Sequence, residues 1–280
     1  SSTSRGLGDV YKRQEENIGQ LTKGSSISSP MAEAINTEYL SSENKLLVSA
    51  KLQKWIDDLI KTKLWPLNEN VDEKLSPNIR AIQFNLFESL GTLPIEKFKS
   101  FLKDITPEEK NALSKLGIRI GAKYFFIPNF LKKASMELLA VLWCIFNQQK
   151  FDGLLPLPKD GRVSFESDKE MQKGYWLSIG YLKLNNFALR IDVFERIFFI
   201  ARQKIKSGPF LDSADLMNPV GCNRDQLKDI LVYCGLNYIK FTNERYLFFY
   251  ESKKVISKPK RSLSKKINLK PKSKNKKISK

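Results

Sequence analysis

The sequence contains no histidine and only three cysteines, Cys144, Cys222 and Cys234. Without histidine, the chain has no histidine general base, no nucleophile–histidine pair and no Cys2His2 zinc site. No two cysteines stand in a CxxC spacing, which favours buried thiols in a reducing cytosol over a zinc site or a disulfide framework. Long apolar runs are missing as well. The best, residues 136–146, contains Glu137 and reaches about half of the ~20 residues that a membrane span needs.

Catalytic motifs are also missing. The nearest approach to a phosphate-binding loop, Thr22 to Ser25, lacks the GxxxxGK[ST] spacing and has no strand before it. We therefore expect no catalytic residue, no metal site and no other cofactor in this chain. Hydrophobic residues make up 41% of it, which is enough to build a core.

The charge is strongly positive and unevenly distributed. The net charge is +18, and residues 253–280 hold 12 Lys and one Arg without any acid. A lysine excess also accompanies an AT-rich genome whatever the function, so the basic signal belongs first to this segment. The segment has too few apolar residues to fold alone, and we expect a disordered Lys-rich tail. It either solubilises the chain or neutralises phosphates, in the second case through Lys253, Lys254, Lys258, Lys260 and Arg261.

Residues 4–14 read SRGLGDVYKRQ, which resembles the in-frame translation of a transposase-type sequencing adapter. We treat residues 1–14 as an artefact of that kind and leave them out of the fold reasoning. This interpretation leads us to expect that the natural N-terminus is missing.

The remaining patterns predict a mainly α fold with small β elements. A polar, Ser-rich stretch predicts a linker over 15–41, and a helical subdomain with a short strand follows over 42–152. A Gly- and Pro-bearing region predicts a connection over 153–186. A winged-helix-like module is expected over 187–252, before the tail.

Local signals place several elements in the first subdomain. Apolar spacing predicts a helix from about Ser42 to Leu64. Ser76 before a proline, and the Thr106 capping box, predict the starts of two further helices. The run from Ile118 to Ile127 has strand character and stops at a proline.

The C-terminal module has the most legible pattern. It predicts a helix over 191–206, a short helix over 212–218 and a third helix that Asn223 caps. Two strands follow, over 236–241 and 246–250. Three helices followed by a hairpin are typical of a winged helix, which commonly places its third helix in a groove and its wing on the backbone. The same order also occurs in modules that bind only protein.

Six cations of the folded part are candidate nucleic-acid contacts. Arg224 and Lys228 stand one turn apart on the third helix, although acids interleave with them and a solvated charge pattern is the alternative. Lys240 and Arg245 lie on the hairpin, where a charged edge strand also guards against aggregation. Arg119 and Arg162 each stand near a glycine, and structural ion pairing is the alternative for both. Exposed aromatic residues such as Phe199 and Tyr233 are further candidates for base stacking.

Three blocks in one order resemble the C-terminal region of large DEAD/DEAH-box (superfamily 2) helicases of alphaproteobacteria, which are relatives of the mitochondrial RNA-degradosome helicase. The blocks are residues 116–146 (beginning LGIRIGAKYFFIPNFLKK), 187–196 (FALRIDVFER) and 219–227 (PVGCNRDQL). The likeness covers most of residues 45–250. None of that family's catalytic motifs falls on residues present here. Arg119, Gly121 and the turn at Gly221 and Cys222 match positions within the blocks.

The resemblance implies two RecA-like motor domains before this piece, with ATP and Mg²⁺ bound only there. We therefore expect a cytoplasmic, nucleic-acid-binding accessory region of an ATP-dependent helicase. Its partner would be RNA or DNA, single-stranded and bound without sequence preference, and not a membrane. Two alternatives remain open, namely a free-standing winged-helix DNA-binding regulator and an interaction scaffold with a basic tail.

Overall fold

A computed structural model describes residues 18–35, 41–65, 75–149, 155–159, 161–167, 171–241 and 244–250, and the elements below lie within those ranges. The helices are Ser42–Lys63 (α1), Pro77–Glu88 (α2), Lys99–Lys103 (α3), Pro107–Lys115 (α4), Lys133–Phe146 (α5), Lys173–Ser178 (α6), Ile191–Lys206 (α7), Ala214–Met217 (α8) and Arg224–Tyr233 (α9). The strands are Gly19–Ser26 (β1), Ser29–Ala34 (β2), Thr92–Pro94 (β3), Arg119–Ile120 (β4), Tyr124–Phe126 (β5), Ser164–Glu166 (β6), Tyr181–Leu184 (β7), Phe187–Arg190 (β8), Phe210–Leu211 (β9), Asn237–Lys240 (β10) and Tyr246–Phe249 (β11). The prediction of a mainly α fold with small β elements is confirmed.

Three of the helices begin where the sequence predicts them. The Ser76 hydroxyl accepts the first-turn N–H of Ile79 at 3.4 Å. Thr106 and Asn223 each form a reciprocal capping box with the residue three positions later. These side chains satisfy backbone donors that have no partner within the helix, which is why their sequence signals are dependable.

The N-terminal described segment is a β-hairpin, and the prediction of a linker over 15–41 is wrong there. β1 pairs antiparallel with β2, and both pack on α1. The Gln53 side chain accepts the N–H of Ala32 at 2.9 Å and donates to the carbonyl of Pro30 at 3.1 Å. Ser49 accepts the N–H of Ala34 at 2.9 Å. Polar side chains of α1 thus form hydrogen bonds with the edge backbone groups of β2. The hairpin is held in this way without a strong alternation of apolar residues along its strands.

The strand predicted over 118–127 is a tight hairpin of two strands. β4 and β5 are antiparallel, with Arg119 opposite Phe126, and β3 pairs with the other edge of β5. Gly121 opens the turn between them. A Cβ at this glycine would lie 2.5 Å from the carboxyl carbon of Glu195 on α7, so the turn and the helix approach closely only because the side chain is absent.

The predicted boundary at residue 187 runs through a three-stranded sheet. β8 is the central strand of this sheet and pairs antiparallel with β6 on one edge and β7 on the other. The region predicted as a connection, 153–186, therefore contributes two strands and α6 to the folded body. Backbone hydrogen bonds join it to the start of the C-terminal module.

Two apolar clusters fill the described structure, and β5, β7 and β8 each contribute residues to both. On β5, Phe125 belongs to the first cluster, whereas Tyr124 and Phe126 belong to the second. On β8, Ala188 belongs to the first cluster and Leu189 to the second. Successive residues of a strand point to opposite faces, so each strand uses both of its faces to join the two cores.

The C-terminal elements follow the order α7, β9, α8, α9, β10, β11. The two-residue strand β9, which the sequence did not predict, pairs antiparallel with β11. The sheet order is β10-β11-β9, with β10 at an edge. Phe194 of α7, Leu227 of α9 and Phe248 of β11 are fully buried together in the second cluster.

Two predicted segments lie outside the described residues, the adapter-like stretch 1–14 and the basic tail 253–280. None of the helices described is both long and apolar enough to cross a membrane.

Candidate nucleic-acid interface

The buried carboxylate of Asp212 binds Arg224 and Arg245, two of the residues that the sequence predicts as nucleic-acid contacts. Asp212 follows β9 and is 2% exposed. Its carboxylate accepts the backbone N–H of Tyr246 at 2.9 Å, the Nε–H of Arg224 at 2.8 Å and the Nε–H of Arg245 at 3.4 Å. The Arg224 and Arg245 side chains remain 48% and 40% exposed. Both arginines therefore hold α9 and the hairpin together, with one side of each guanidinium left to solvent.

The exposed face of α9 is close to electrically neutral. Lys228 stands between Asp225 at 3.8 Å and Asp229 at 3.5 Å. Its ammonium also lies 5.8 Å from the ring centre of Tyr238 and 5.7 Å from that of Tyr246. The Tyr246 hydroxyl donates to Asp225, and this hydrogen bond, with burial, raises the pKa of Tyr246 to about 12. The sequence predicts Lys228 as a contact, and the structure surrounds it with acids and rings.

Lys240 lies on the edge strand β10 and is exposed. Within the described ranges it forms no ion pair. It borders a recess of about 470 Å³ together with Arg224, Asp225 and Glu244. Two cations face two acids there, so the recess has no marked charge.

The two arginines beside glycines differ in their surroundings. Arg119 is exposed on β4, opposite Phe126 of β5. Arg162 is also exposed, but it borders a recess of about 80 Å³ that is also lined by Lys133, Lys159 and Arg190. The structure thus gives Arg162 cationic neighbours that lie far from it in the sequence.

A basic surface that the sequence reasoning missed runs along α7. Its exposed residues Arg196, Phe199, Arg202 and Lys206 follow one another at spacings of three or four, which places them on one side of the helix. We call these four residues the α7 face. The Phe199 side chain is 62% exposed. The set spans about 15 Å along the helix axis.

Two carboxylates at the start of α7 are engaged elsewhere, since Asp192, one turn before Arg196, pairs with Arg190 at 2.7 Å and Glu195 turns inward. Glu195 is 9% exposed and accepts the backbone N–H groups of Ala122, Lys123 and Tyr124 at 2.5, 2.9 and 2.8 Å. Burial raises the pKa of Glu195, against the opposing effect of these three donors and of the Lys123 ammonium. In the sequence Glu195 is adjacent to Arg196, and the sequence pattern does not show that its carboxylate turns inward.

Aromatic rings and further cations lie beside this face. The ammonium of Lys123 donates to the backbone carbonyl of Tyr233 at 2.8 Å. It lies 5.6 Å from the ring centre of Phe198 and 5.1 Å from that of Tyr233. The guanidinium of Arg202 lies 5.8 Å from the centre of the same Phe198 ring. Cations held against rings in this way combine the two features that bind unpaired bases and their phosphates.

The thiols and carboxylates offer little for catalysis or metal binding. In the described part of the chain, no group of three or more Cys, Asp or Glu side chains could hold a metal ion. Cys144 and Cys234 are buried and Cys222 is half-buried, all as free thiols. Burial raises the pKa of Cys144 and of Cys222 to about 11, so all but a small fraction of each is protonated near neutral pH.

The remaining candidate contacts, Lys253, Lys254, Lys258, Lys260 and Arg261, lie outside the described residues. In comparisons with known proteins, no family model, no curated protein and no solved structure matches this chain.

Proposed function

We propose that this chain binds single-stranded nucleic acid without sequence preference, as the C-terminal accessory region of an ATP-dependent RNA or DNA helicase. The observation that carries the binding part is the α7 face, three exposed cations around an exposed phenylalanine with no acid among them. Cations attract phosphates of any sequence. An aromatic ring stacks on any unpaired base, but not on a base inside a duplex.

The C-terminal elements support a winged-helix-like module in this role. A helix, a short strand, two helices and a hairpin follow one another, and the short strand pairs with the last strand of the hairpin. In this interpretation α9 is the third helix of the module and the β10–β11 hairpin is its wing, with Lys240 on the wing. The basic tail would add sequence-independent contacts.

The charges on α9 favour this function over that of a free-standing regulator. A helix that reads base edges must approach the negatively charged groove closely. Asp225 and Asp229 on α9 would oppose that approach, and Lys228 lies between them. The partly exposed acid one turn before Arg196, Asp192, is paired with Arg190, and among the described residues no acid forms an ion pair with the cations of the α7 face.

The helicase part of the proposal rests on the three sequence blocks. It includes two motor domains in cis, which would bind ATP and Mg²⁺, and a cytoplasmic location. It is tested by reading the coding sequence upstream of residue 15. Phosphate-loop GK[ST] and DE-x-[HD] motifs in the same frame are expected, and an upstream frame without them would remove the helicase assignment.

The binding part is tested by fluorescence anisotropy of the full chain with single-stranded RNA, single-stranded DNA and duplex DNA over a salt series. Replacing Arg196 and Arg202 together by Gln should weaken single-strand binding and reduce the salt slope by about 1.4, since each phosphate contact with a single strand contributes about 0.7. The control is Lys110→Gln, which removes an exposed cation of α4.

Each alternative function predicts a different result in the same assay. A regulator should prefer one duplex sequence over others by about 10³-fold or more. A scaffold whose basic tail alone attracts nucleic acid should lose all binding when residues 253–280 are removed. An unchanged salt slope in the Arg196 and Arg202 variant would show that the α7 face is not the binding surface.

A further inference from the structure

A small recess with a cationic rim lies apart from the α7 face. It lies where the start of α5, residues 157–159 and 161–162, and the strands β7 and β8 meet, and it measures about 80 Å³. Its apolar lining includes Leu131, and its charged lining comprises Lys133, Glu137, Lys159, Arg162 and Arg190.

Among the described lining residues of the recess, the cations outnumber the acids. Arg190 is neutralised by Asp192, which accepts from its Nε at 2.7 Å and from a terminal nitrogen at 3.0 Å. Lys133, Lys159 and Arg162 are exposed and, within the described ranges, have no acid partner. Glu137 is the one carboxylate among the described lining residues. Three unpaired cations thus face one acid. Asp160 lies outside the described residues.

The backbone of the rim is held in place by a buried tyrosine. The Tyr181 hydroxyl, on a side chain that is 1% exposed, donates to the carbonyl of Arg162 at 2.5 Å. The N–H of Arg162 donates to the carbonyl of Lys159 at 3.1 Å. Gly161 between them has a φ of +74°, a conformation that costs glycine little. These hydrogen bonds hold the backbone at Arg162 in place, and a ligand need not order it on binding.

The size and charge of the recess select a compact anion. By the same measure one water molecule needs about 10–15 Å³ and a cavity that holds benzene about 150 Å³, so the recess of about 80 Å³ suits one phosphate group better than a nucleobase. A phosphodiester continues as a chain in two directions and passes over such a recess. A phosphomonoester enters end-on, and it carries up to a second negative charge near neutral pH.

We propose that this recess binds a phosphomonoester, either the terminal phosphate of a nucleic-acid strand or the phosphate of a mononucleotide. The strand-end form rests on the proposed function, in which strands already bind the same chain. The mononucleotide form does not depend on it. Lys159 and Arg162 are the residues that hold the phosphate, and Lys133 adds to the positive electrostatic potential of the recess.

The test compares one short oligonucleotide in three forms, with a 5′-phosphate, a 3′-phosphate or only hydroxyl ends, bound to the full chain. A phosphorylated form should bind about tenfold or more tightly than the hydroxyl form, the effect of one or two charge-assisted hydrogen bonds. Replacing Lys159 and Arg162 together by Gln should abolish this preference, so that the phosphorylated and hydroxyl forms bind the variant with equal affinity. Lys110→Gln is the control that should retain the preference.

Adenosine 5′-monophosphate and inorganic phosphate distinguish a mononucleotide from a strand end as the source of the phosphate. They also allow the recess to be tested separately from the proposed function. Either probe should shift the NMR signals of the Gly161 and Arg162 amides in the wild type but not in the double variant. Such shifts without any strand binding would support the recess and remove the proposed function. Strand binding without a phosphate preference and without these shifts would overturn the recess and leave the proposed function standing. A preference that survives in the double variant would overturn the assignment of Lys159 and Arg162.

Discussion

Asp212 is the residue on which the C-terminal module most depends. Its side chain is 1% exposed and accepts hydrogen bonds from two arginines and a backbone N–H. Asp212→Asn would place an amide N–H₂ group against these donors. We expect a loss of about 2–4 kcal/mol in the free energy of unfolding, since a buried charge pair is broken but its arginines remain half-exposed to water. Urea denaturation of the variant and the wild type measures this difference.

The matched control for this prediction is Asp215→Asn. Asp215 pairs with Lys204 at 2.9 Å, but its side chain is 51% exposed. Its replacement should cost less than about 1 kcal/mol. Equal losses in the two variants would mean that Asp212 is no more than another surface ion pair.

The sequence could not identify this use of Arg224 and Arg245. It marked both as exposed cations near a groove or a wing, and they are partly exposed. Their shared partner, Asp212, lies 12 and 33 positions away from them. Only the pairing of β9 with β11 brings it to them, and the sequence pattern did not predict β9.

The cysteines should behave as protected thiols with a defined pH dependence. For Cys144, burial raises the pKa from an ordinary 9.0 to about 11. Its contribution to stability is therefore fully present below pH 9 and is lost as the pH rises through 11. We expect slow alkylation by iodoacetamide at pH 7.5 in the native protein and fast alkylation in urea. Fast native labelling of Cys144, read by mass spectrometry, would contradict its burial.

At the scale of elements, the turn between β4 and β5 docks on α7 through a glycine and a carboxylate. A Cβ on Gly121 would lie 2.5 Å from the Glu195 carboxyl carbon and 2.7 Å from the Tyr124 carbonyl oxygen. Gly121→Ala should therefore destabilise the protein by about 1–3 kcal/mol, the usual effect of overpacking. The change is read from the midpoint of urea unfolding.

Gly174→Ala provides the comparison for that variant. Gly174 lies in α6, and its nearest contact to an added Cβ is 3.7 Å away. Alanine also favours a helix over glycine, so this variant should be neutral or slightly more stable. If Gly121→Ala were equally harmless, this result would contradict the close packing of Gly121 against Glu195 of α7.

Elements with local signals were predictable, and elements held by distant partners were not. The helix starts at Ser76, Thr106 and Asn223 were predicted because a cap and its backbone donor lie within three positions of each other. β1 and β2 were missed because α1, not apolar alternation, satisfies their edge. The α7 face was missed because the inward turn of Glu195 depends on backbone donors more than 70 positions away.

At the scale of the whole molecule, the two apolar clusters share β5 and β8, so the helical part and the C-terminal module do not form separate cores. The sequence predicted a connection over 153–186, opened by a stretch that carries glycine and proline, and a C-terminal module from residue 187. In the structure the sheet of β6, β8 and β7 spans that boundary. A shared core fixes α7 relative to the first part, so the α7 face and the phosphate-sized recess are held on one body.

The most direct test of the proposed binding to single strands is the replacement of Phe199 by Ala, measured with a single strand over a salt series. Phe84→Ala is the control, since Phe84 on α2 is 60% exposed and lies outside the basic surface. Loss of one stacked base should weaken binding by about 1–3 kcal/mol and leave the salt slope unchanged, because no phosphate contact is lost. Phe84→Ala should bind as the wild type does. Equal affinities for Phe199→Ala and Phe84→Ala would contradict base stacking on α7 and leave charge as the only attraction.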